Sequence, residues 1–160
     1  GGDPMLKKAK PYLISIAIAL GVGLLSSFFT RDAMIRFETL KKPPLAPPGS
    51  VFPIVWSVLF VLMGISIVLF LKSGGIDKKA GLLLYTAQLV VNFFWTIFFF
   101  NLEWRLFSFF WLLLLLGLVI GMIVKFSKDS KPAAYLQIPY ALWLLFAGYL
   151  NLGVYLLNRA

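Results

Sequence analysis

The sequence contains no cysteine and no histidine, and it has few charged residues. The lack of the first two residue types excludes disulfide bonds, thiol nucleophiles, zinc or haem ligation through Cys or His, and a histidine general base. Only 13% of the 160 residues are charged, whereas 61% are hydrophobic and the mean hydropathy is +0.92. A soluble globular domain has about a quarter charged residues, so this composition indicates a membrane protein.

The charged residues fall into a few short clusters separated by five long uncharged stretches. A hydrocarbon core of about 30 Å needs roughly 20 apolar residues of helix, and each stretch is of that length. Five buried core helices of a soluble protein are excluded, because too few residues remain to cover them. The sequence therefore predicts an all-α membrane protein, a five-transmembrane-helix bundle with helices at about Tyr12–Phe29, Val51–Leu71, Ala80–Phe100, Leu106–Phe126 and Ala133–Leu157.

The chain begins with residues 1–4, Gly-Gly-Asp-Pro, ahead of Met5, which is typical of an expression remnant. The remainder, 5–160, is predicted to be a single membrane domain. The first apolar stretch is long enough to span a membrane and lacks a small-x-small cleavage site, so it is not expected to be a cleaved signal.

The connections between the predicted helices are short, except for the first one, Thr30–Ser50. It contains Lys-Lys-Pro-Pro-Leu-Ala-Pro-Pro at 41–48, and prolines favour an extended chain, so a loop with at most one helical turn near 32–40 is predicted. Long loops in compact proteins are either functional or disordered linkers. Because only this connection is long, we favour a lid over a linker.

The basic residues indicate an orientation in the membrane. Nine Lys and Arg residues lie on the amino-terminal side of the predicted spans and six on the opposite side. The positive-inside rule then places the amino terminus in the cytoplasm of a multi-pass cell-membrane protein. The net charge of +9 comes from residues at helix ends, where they anchor the spans at lipid headgroups, so no nucleic-acid binding is expected.

Polar residues of the third span share one helical face, on which Gln88, Asn92 and Trp95 follow one another. Amides are costly in hydrocarbon, so this face is expected to point into the bundle. One alternative is that such amides only bond neighbouring helices, and we favour it for Asn151 and Asn158. For Asn92, the nearby Trp95 and Gln88 favour the wall of a cavity instead.

Aromatic residues mark inward faces on the second and fifth spans. Trp56 and Phe60 line up on the second, after Pro53. On the fifth, the predicted inward arc contains Pro139, Tyr140, Trp143, Phe146 and Ala147. Two inward tryptophans favour a flat apolar ligand, with core packing as the alternative.

Three motifs resemble those of the TspO family, which contains the tryptophan-rich sensory proteins of bacteria and the translocator protein, or peripheral benzodiazepine receptor. The first motif runs from Pro43 to Trp56, as PPLAPPxxVFPxVW, and is followed by Met63-Gly64. The others are YTxQLxxNxxW from Tyr85 and WxxFAxxLN from Trp143. They occur in order along nearly the whole chain, so the chain resembles a bacterial member of this family.

The resemblance implies a homodimeric five-helix bundle that binds tetrapyrroles such as protoporphyrin IX and haem-like molecules, benzodiazepine-site drugs and sterols. It implies a pocket closed by the first loop, with ligand-binding residues Trp56, Phe60, Asn92, Trp95, Trp143, Phe146 and Ala147. It also implies light-dependent porphyrin breakdown in some members, for which Trp56 and Trp143 are the candidate photochemical residues. The family's sterol motif has a weak match in Leu152-x-x-Tyr155-x-x-x-Arg159, which any last span could carry.

The residues restrict the mechanism further. The predicted spans contain no carboxylate, so there is no conventional base or nucleophile within the membrane and no metal site is expected. Photochemistry does not need a base or a nucleophile, because the porphyrin is itself the reactive ligand. No separate cofactor is expected. Ion-coupled transport needs a titratable group inside the membrane and is disfavoured. Passive or partner-assisted transport and ligand sensing stay open.

Overall fold

The computed structural model describes residues 3–159, which form five α-helices and no strand. The predicted five-helix bundle is thereby confirmed. Its helices are α1 (Pro4–Phe37), α2 (Val51–Lys72), α3 (Lys79–Thr96), α4 (Arg105–Asp129) and α5 (Lys131–Asn158), and a π-helical segment, Ile97–Asn101, continues α3. All five are long and apolar enough to cross a membrane.

Local signals fix two of the helix starts. At α1, the side chain of Asp3 accepts a hydrogen bond from the amide of Met5, and Pro4 occupies the first turn. At α5, Ser130 accepts from the amide of Ala133 over 3.3 Å. Such caps satisfy amides that the helix leaves free, and proline is tolerated in the first turn because its missing N–H is not needed there. Of the predicted expression remnant, Gly1 and Gly2 lie outside the described residues.

The predicted boundary of the first loop was wrong. Residues 30–37 are helical, so α1 has 34 residues and the connection to α2 is Glu38–Ser50. The charge of Arg31 suggests an end at Phe29, but no proline or glycine occurs between Arg31 and Pro43 to stop the helix there. At a rise of about 1.5 Å per residue, α1 is about 50 Å long and extends beyond a hydrocarbon core.

The extension of α1 packs on the π-helical segment. The side-chain Nδ2 of Asn101 donates to the carbonyl of Phe29 over 3.0 Å, and Arg36 lies 3.4 Å from the carboxylate of Glu103. The ring of Phe37 contacts those of Phe99 and Phe100 at centroid distances of 5.7 and 5.2 Å. These contacts explain why the helix continues where the charge pattern predicted a loop.

The other half of the bundle has a densely packed, mostly apolar core. Phe70 and Phe126 stack with ring centroids 4.3 Å apart, and Met63 and Met122 are fully buried beside them. At the same end, Lys78 pairs with Asp129 over 3.1 Å, which joins the α2–α3 connection to the end of α4. The open space inside the bundle therefore lies in the half that is next to the Glu38–Ser50 connection.

Candidate ligand-binding cavity

A cavity of about 450 Å³ lies between α1, α2, α3 and α5, in the half of the bundle next to the Glu38–Ser50 connection. Ligand pockets commonly enclose about 300–1,000 Å³ and are mostly apolar, so its size suits a small molecule. No acidic or basic side chain lines this cavity among the described residues.

The first wall belongs to α2, where Phe52, Trp56 and Phe60 follow one another at helical spacing. Trp56 packs against Phe60 at a centroid distance of 5.8 Å and edge-on to Tyr140 at 6.2 Å. Phe60 reaches this position because α1 has a glycine opposite it. A Cβ on Gly23 would lie 2.8 Å from Phe60 Cε2.

The second wall is formed by α3 and the π-helical segment. Asn92 and Trp95 line the cavity, and Trp95 stacks on Phe99 at 5.2 Å. A π-helix has i to i+5 hydrogen bonds, which shifts the angular positions of the residues that follow. Both Phe99 and Phe100 consequently line the cavity next to Phe37.

The third wall belongs to α5. Trp143 and Ala147 line the cavity, and Trp143 packs edge-on to Phe52 at 5.9 Å. Phe146 was predicted to join them but does not line the cavity. It is half-buried and packs between Trp143 and Tyr149, at 5.4 and 6.1 Å. Pro139, predicted to lie on the inward arc, is exposed on the outside of the bundle.

The structure thus brings together six of the seven predicted binding residues around one cavity: Trp56, Phe60, Asn92, Trp95, Trp143 and Ala147. The prediction of which helical faces point inward is confirmed for α3, on which Tyr85, Gln88, Asn92, Trp95 and Phe99 are all buried.

The amides behave in two ways. Gln88 is fully buried and bonds only inside the bundle, accepting from the hydroxyl of Tyr140 over 2.7 Å. Asn92 both lines the cavity and donates its Nδ2 to the Tyr140 oxygen over 2.7 Å. Burying such groups is tolerated because each finds a partner.

Asn151 hydrogen-bonds to neighbouring helices and Asn158 to the first loop. This agrees with the alternative that these amides serve packing. Asn151 Oδ1 accepts from Trp95 Nε1 over 3.0 Å and from Ser108 Oγ over 3.2 Å, and its Nδ2 donates to the Arg105 carbonyl over 2.8 Å. Asn158 exchanges two hydrogen bonds with the backbone of Lys41. Asn151 also lines the cavity.

The sequence pattern did not predict that α1 forms a wall of the cavity. This wall includes Ser26, Thr30, Met34 and Phe37. Three of these residues had been assigned to the connection or its boundary. The available signal was the spacing of Ser26 and Thr30, one turn apart on an apolar helix, where Thr30 donates to the Ser26 carbonyl over 2.7 Å.

The Glu38–Ser50 connection crosses the end of α5. The hydroxyl of Tyr149 donates to the Pro44 carbonyl over 2.7 Å, and Pro43 packs so closely on Gly153 that a Cβ there would lie 2.6 Å from the proline ring. None of residues 38–50 lines the cavity, although Phe37 and Phe52, on either side of the connection, do. The role of a lid for this connection stays a prediction.

These features define the class of the protein: a five-helix membrane bundle with an uncharged, aromatic cavity among its helices. A family model described as the TspO/MBR family matches residues 15–157. The chain therefore belongs to the TspO/MBR family, and the resemblance found in the sequence motifs is confirmed. With its five spanning-length helices, it is a multi-pass membrane protein.

Individual relatives cover most of the chain. The tryptophan-rich protein TspO of Chlorobaculum tepidum is 34% identical over 157 residues, which cover 96% of this chain and 99% of that protein. The translocator protein of Bos taurus is 36% identical over 136 residues, covering 81% of this chain and 79% of the relative. Protein CrtK of Rhodobacter capsulatus is 34% identical over 153 residues, covering 92% and 90%.

Proposed function

We propose that the cavity binds flat apolar ligands taken up from the bilayer, namely tetrapyrroles such as protoporphyrin IX and haem-like molecules, and drugs of the benzodiazepine-site class. The supporting observation is the convergence of Trp56, Trp95, Trp143 and Asn92 on one cavity of about 450 Å³. Flat ring systems match aromatic walls of this kind through stacked and edge-on contacts.

The energetic argument starts from the lipid. A ligand that moves from lipid tails to an apolar cavity leaves one dry environment for another, so the hydrophobic effect contributes little to its affinity. Each aromatic contact adds about 0.5–1.5 kcal/mol beyond area burial. The aromatic walls and the few polar groups therefore supply the affinity. The walls also select among ligands by their shape.

Light-dependent porphyrin breakdown is the chemistry that this cavity suits best. Its described walls carry no acid or base, so a conventional hydrolytic or proton-transfer mechanism has no catalytic group there. A porphyrin bound beside Trp56 and Trp143 would bring its own light absorption, with molecular oxygen as the oxidant and the indoles as oxidisable neighbours. The proposed activity requires light, and porphyrin loss in the dark would contradict it.

Passive or partner-assisted movement of tetrapyrroles or sterols, and ligand sensing, are the alternatives. The uncharged cavity disfavours ion coupling, because coupled transporters place titratable groups in the membrane. The residues of the sterol motif, Tyr155 and Arg159, lie in a separate groove with Trp104 and Arg105 at the end of α5. The homodimer and the cytoplasmic amino terminus stay predictions.

A titration of detergent-solubilised protein with protoporphyrin IX, followed by the porphyrin absorbance band, tests the proposal. The decisive pair of variants adds the same side chain to opposite faces of α5. Ala147→Trp fills the cavity and should abolish binding, whereas Leu145→Trp faces lipid, 59% exposed, and should bind as the wild type does. Equal binding by both variants would place the ligand elsewhere. Proteoliposome flux of porphyrin in light and dark then separates breakdown from transport.

A further inference from the structure

The cavity wall reaches the surface of the bundle at one place, between α1 and α2. Most of the residues that line the cavity are buried or half-buried, but four of them are exposed: Leu24 and Ser27 of α1, and Pro53 and Ser57 of α2. Within the described chain, no exposed residue of α3, α4 or α5 lines the cavity. Because all four lie on two neighbouring helices, they mark a single opening, which we call the portal.

The packing of α1 on α2 explains why the opening lies at one end of this helix pair. In the densely packed half of the bundle, a Cβ on Gly64 would lie 2.7 Å from the Cα of Ile16, so the two backbones touch there. Further along the pair, a Cβ on Gly23 would lie 2.8 Å from the ring of Phe60. Residue numbers thus rise along α1 while they fall along α2, and the two helices are antiparallel.

The portal residues lie beyond these contacts, on facing strips of the two helices. An equal count of residues along each helix from the backbone contact puts Ser27 level with Pro53, about 16 Å further on at a rise of about 1.5 Å per residue. Leu24 and Ser57 lie one turn closer to the contact on the same faces. Both serine side chains are short, and the Ser57 hydroxyl folds back on its own helix to donate to the Pro53 carbonyl over 2.7 Å. The rim of the portal therefore carries little side-chain bulk.

The portal faces lipid and not water. Its outward-facing neighbours are apolar and more than half exposed, namely Leu25, Phe28, Ile54 and Val58. On α1 these positions belong to the uncharged stretch that precedes Arg31, which is the part of the helix that crosses hydrocarbon. A molecule dissolved among the lipid tails can consequently reach the cavity without passing through the headgroup layer.

We propose that flat ligands enter and leave the cavity sideways from the bilayer, through the portal, and that Ser27 and Ser57 set the width of this passage. The inference rests on the proposed function of the cavity and adds the class of ligand that can use it, which is planar molecules that partition into lipid. A planar ring system can pass edge-on between two helices where a bulkier molecule of the same hydrophobicity is excluded. The residues that control entry then differ from the aromatic residues that hold the bound ligand.

Tryptophan substitutions at the rim test the proposal through rate constants. Ser27→Trp and Ser57→Trp narrow the passage from opposite helices, and each should lower the association and dissociation rate constants of protoporphyrin IX together, by about tenfold, because entry and exit share one barrier. The dissociation constant should change less than about threefold. Stopped-flow absorbance with each protein in nanodiscs of one lipid composition measures the rates. Leu25→Trp and Val58→Trp add the same bulk at adjacent lipid-facing positions outside the cavity wall and should keep the wild-type rates.

A widened portal gives the opposite result. Leu24 is 71% exposed at the rim, and Leu24→Ala should raise both rate constants by about threefold, because it removes bulk from the same barrier. Leu25→Ala is the matched control and should leave them unchanged. A merely structural role for Leu24 would not accelerate binding and release together at constant affinity.

The outcomes separate this inference from the proposed function. Wild-type rate constants in both rim tryptophan variants and in Leu24→Ala would overturn the portal while leaving the cavity as the binding site. A change confined to the dissociation rate constant would make these residues contacts of the bound ligand and would also overturn it. Failure of the wild type to bind protoporphyrin IX would overturn both proposals. Rim variants on two helices are used, so that misfolding of one, seen as a lost helical circular dichroism signal, leaves the others to decide.

Discussion

Trp95 donates its indole N–H to Asn151 Oδ1 over 3.0 Å and so joins α3 to α5 at the wall of the cavity. The same asparagine accepts from Ser108 and donates to the carbonyl of Arg105, which brings in α4. One amide therefore connects three helices, and all of its hydrogen-bonding partners come from within the bundle.

Asn151→Leu is expected to destabilise the bundle by about 2 kcal/mol, because it leaves the buried indole N–H of Trp95 without its acceptor. The free energy of unfolding in mixed micelles, followed by circular dichroism, measures the effect. Asn158→Leu is the matched control at the exposed end of α5 and should cost less than half as much. Equal losses would show that Asn151 has no special role in joining the helices.

Trp143→Phe is expected to weaken protoporphyrin IX binding by about fivefold, the equivalent of one aromatic contact, with the fold intact. Trp104→Phe is the control, because Trp104 is 52% exposed and lies outside the cavity wall. The porphyrin absorbance band reports binding without relying on tryptophan emission. An unchanged dissociation constant in Trp143→Phe would remove this residue from the site.

Gly64→Ala is expected to destabilise the protein by about 1–3 kcal/mol through overpacking. A Cβ on Gly64 would lie 2.7 Å from Ile16 Cα, so the backbones of α1 and α2 would have to separate. Gly117→Ala adds the same methyl group to α4 in open space and is expected to be neutral or stabilising by up to about 1 kcal/mol. Reversal of this order in thermal unfolding would contradict the close α1–α2 contact.

Gly23→Ala is expected to reduce porphyrin affinity more than stability. The added Cβ would meet the edge of the Phe60 ring, a movable side chain on the cavity wall, and would push that ring into the cavity. Gly21→Ala has no neighbour within 4 Å and provides the control on the same helix. A dissociation constant raised about threefold or more in the first variant alone would match one displaced aromatic contact. Equal binding by both would indicate that Phe60 does not limit the space.

Release of the Glu38–Ser50 connection tests the predicted lid. The double variant Tyr149→Phe, Asn158→Ala removes the side-chain bonds to Pro44 and Lys41 and should raise trypsin cleavage after Lys41 about tenfold. Tyr135→Phe, at an exposed position on the opposite end of α5, is the control. Faster porphyrin release from the double variant would support a lid, and unchanged release would contradict it.

The comparison of α3 with α1 shows where sequence reasoning succeeds in this chain. On α3, Gln88, Asn92 and Trp95 are polar or amphipathic residues in an apolar helix, and the cost of exposing amides to lipid fixes the inward face. On α1, most wall residues are small or apolar, and the hydroxyls of Ser26 and Thr30 can bond within their own helix, as Thr30 does to the Ser26 carbonyl. Their spacing is therefore a weaker signal of an inward face than the amides of α3.

Phe146 illustrates a different limit. It lies within the inward arc of α5, yet Trp143 and Tyr149 on the same helix occupy its surroundings and Ala147 reaches the cavity instead. A helical projection gives an angle but not the identity of the neighbouring helix at that depth. The hydrogen bonds that join Gln88, Tyr140 and Asn92 likewise depend on two helices at once, α3 and α5.

The amino-acid sequence by itself determined the number of spans, the family motifs, the inward faces of α2 and α3, and that of α5 apart from Pro139 and Phe146. These follow from the length of apolar stretches and from the cost of placing polar groups in lipid, which act on each helix separately. The tertiary structure alone decided that α1 continues to Phe37 and that the space lies in one half of the bundle. Those features depend on contacts between residues far apart in the chain, because packing and hydrogen-bond direction are set by neighbours that no single helix contains.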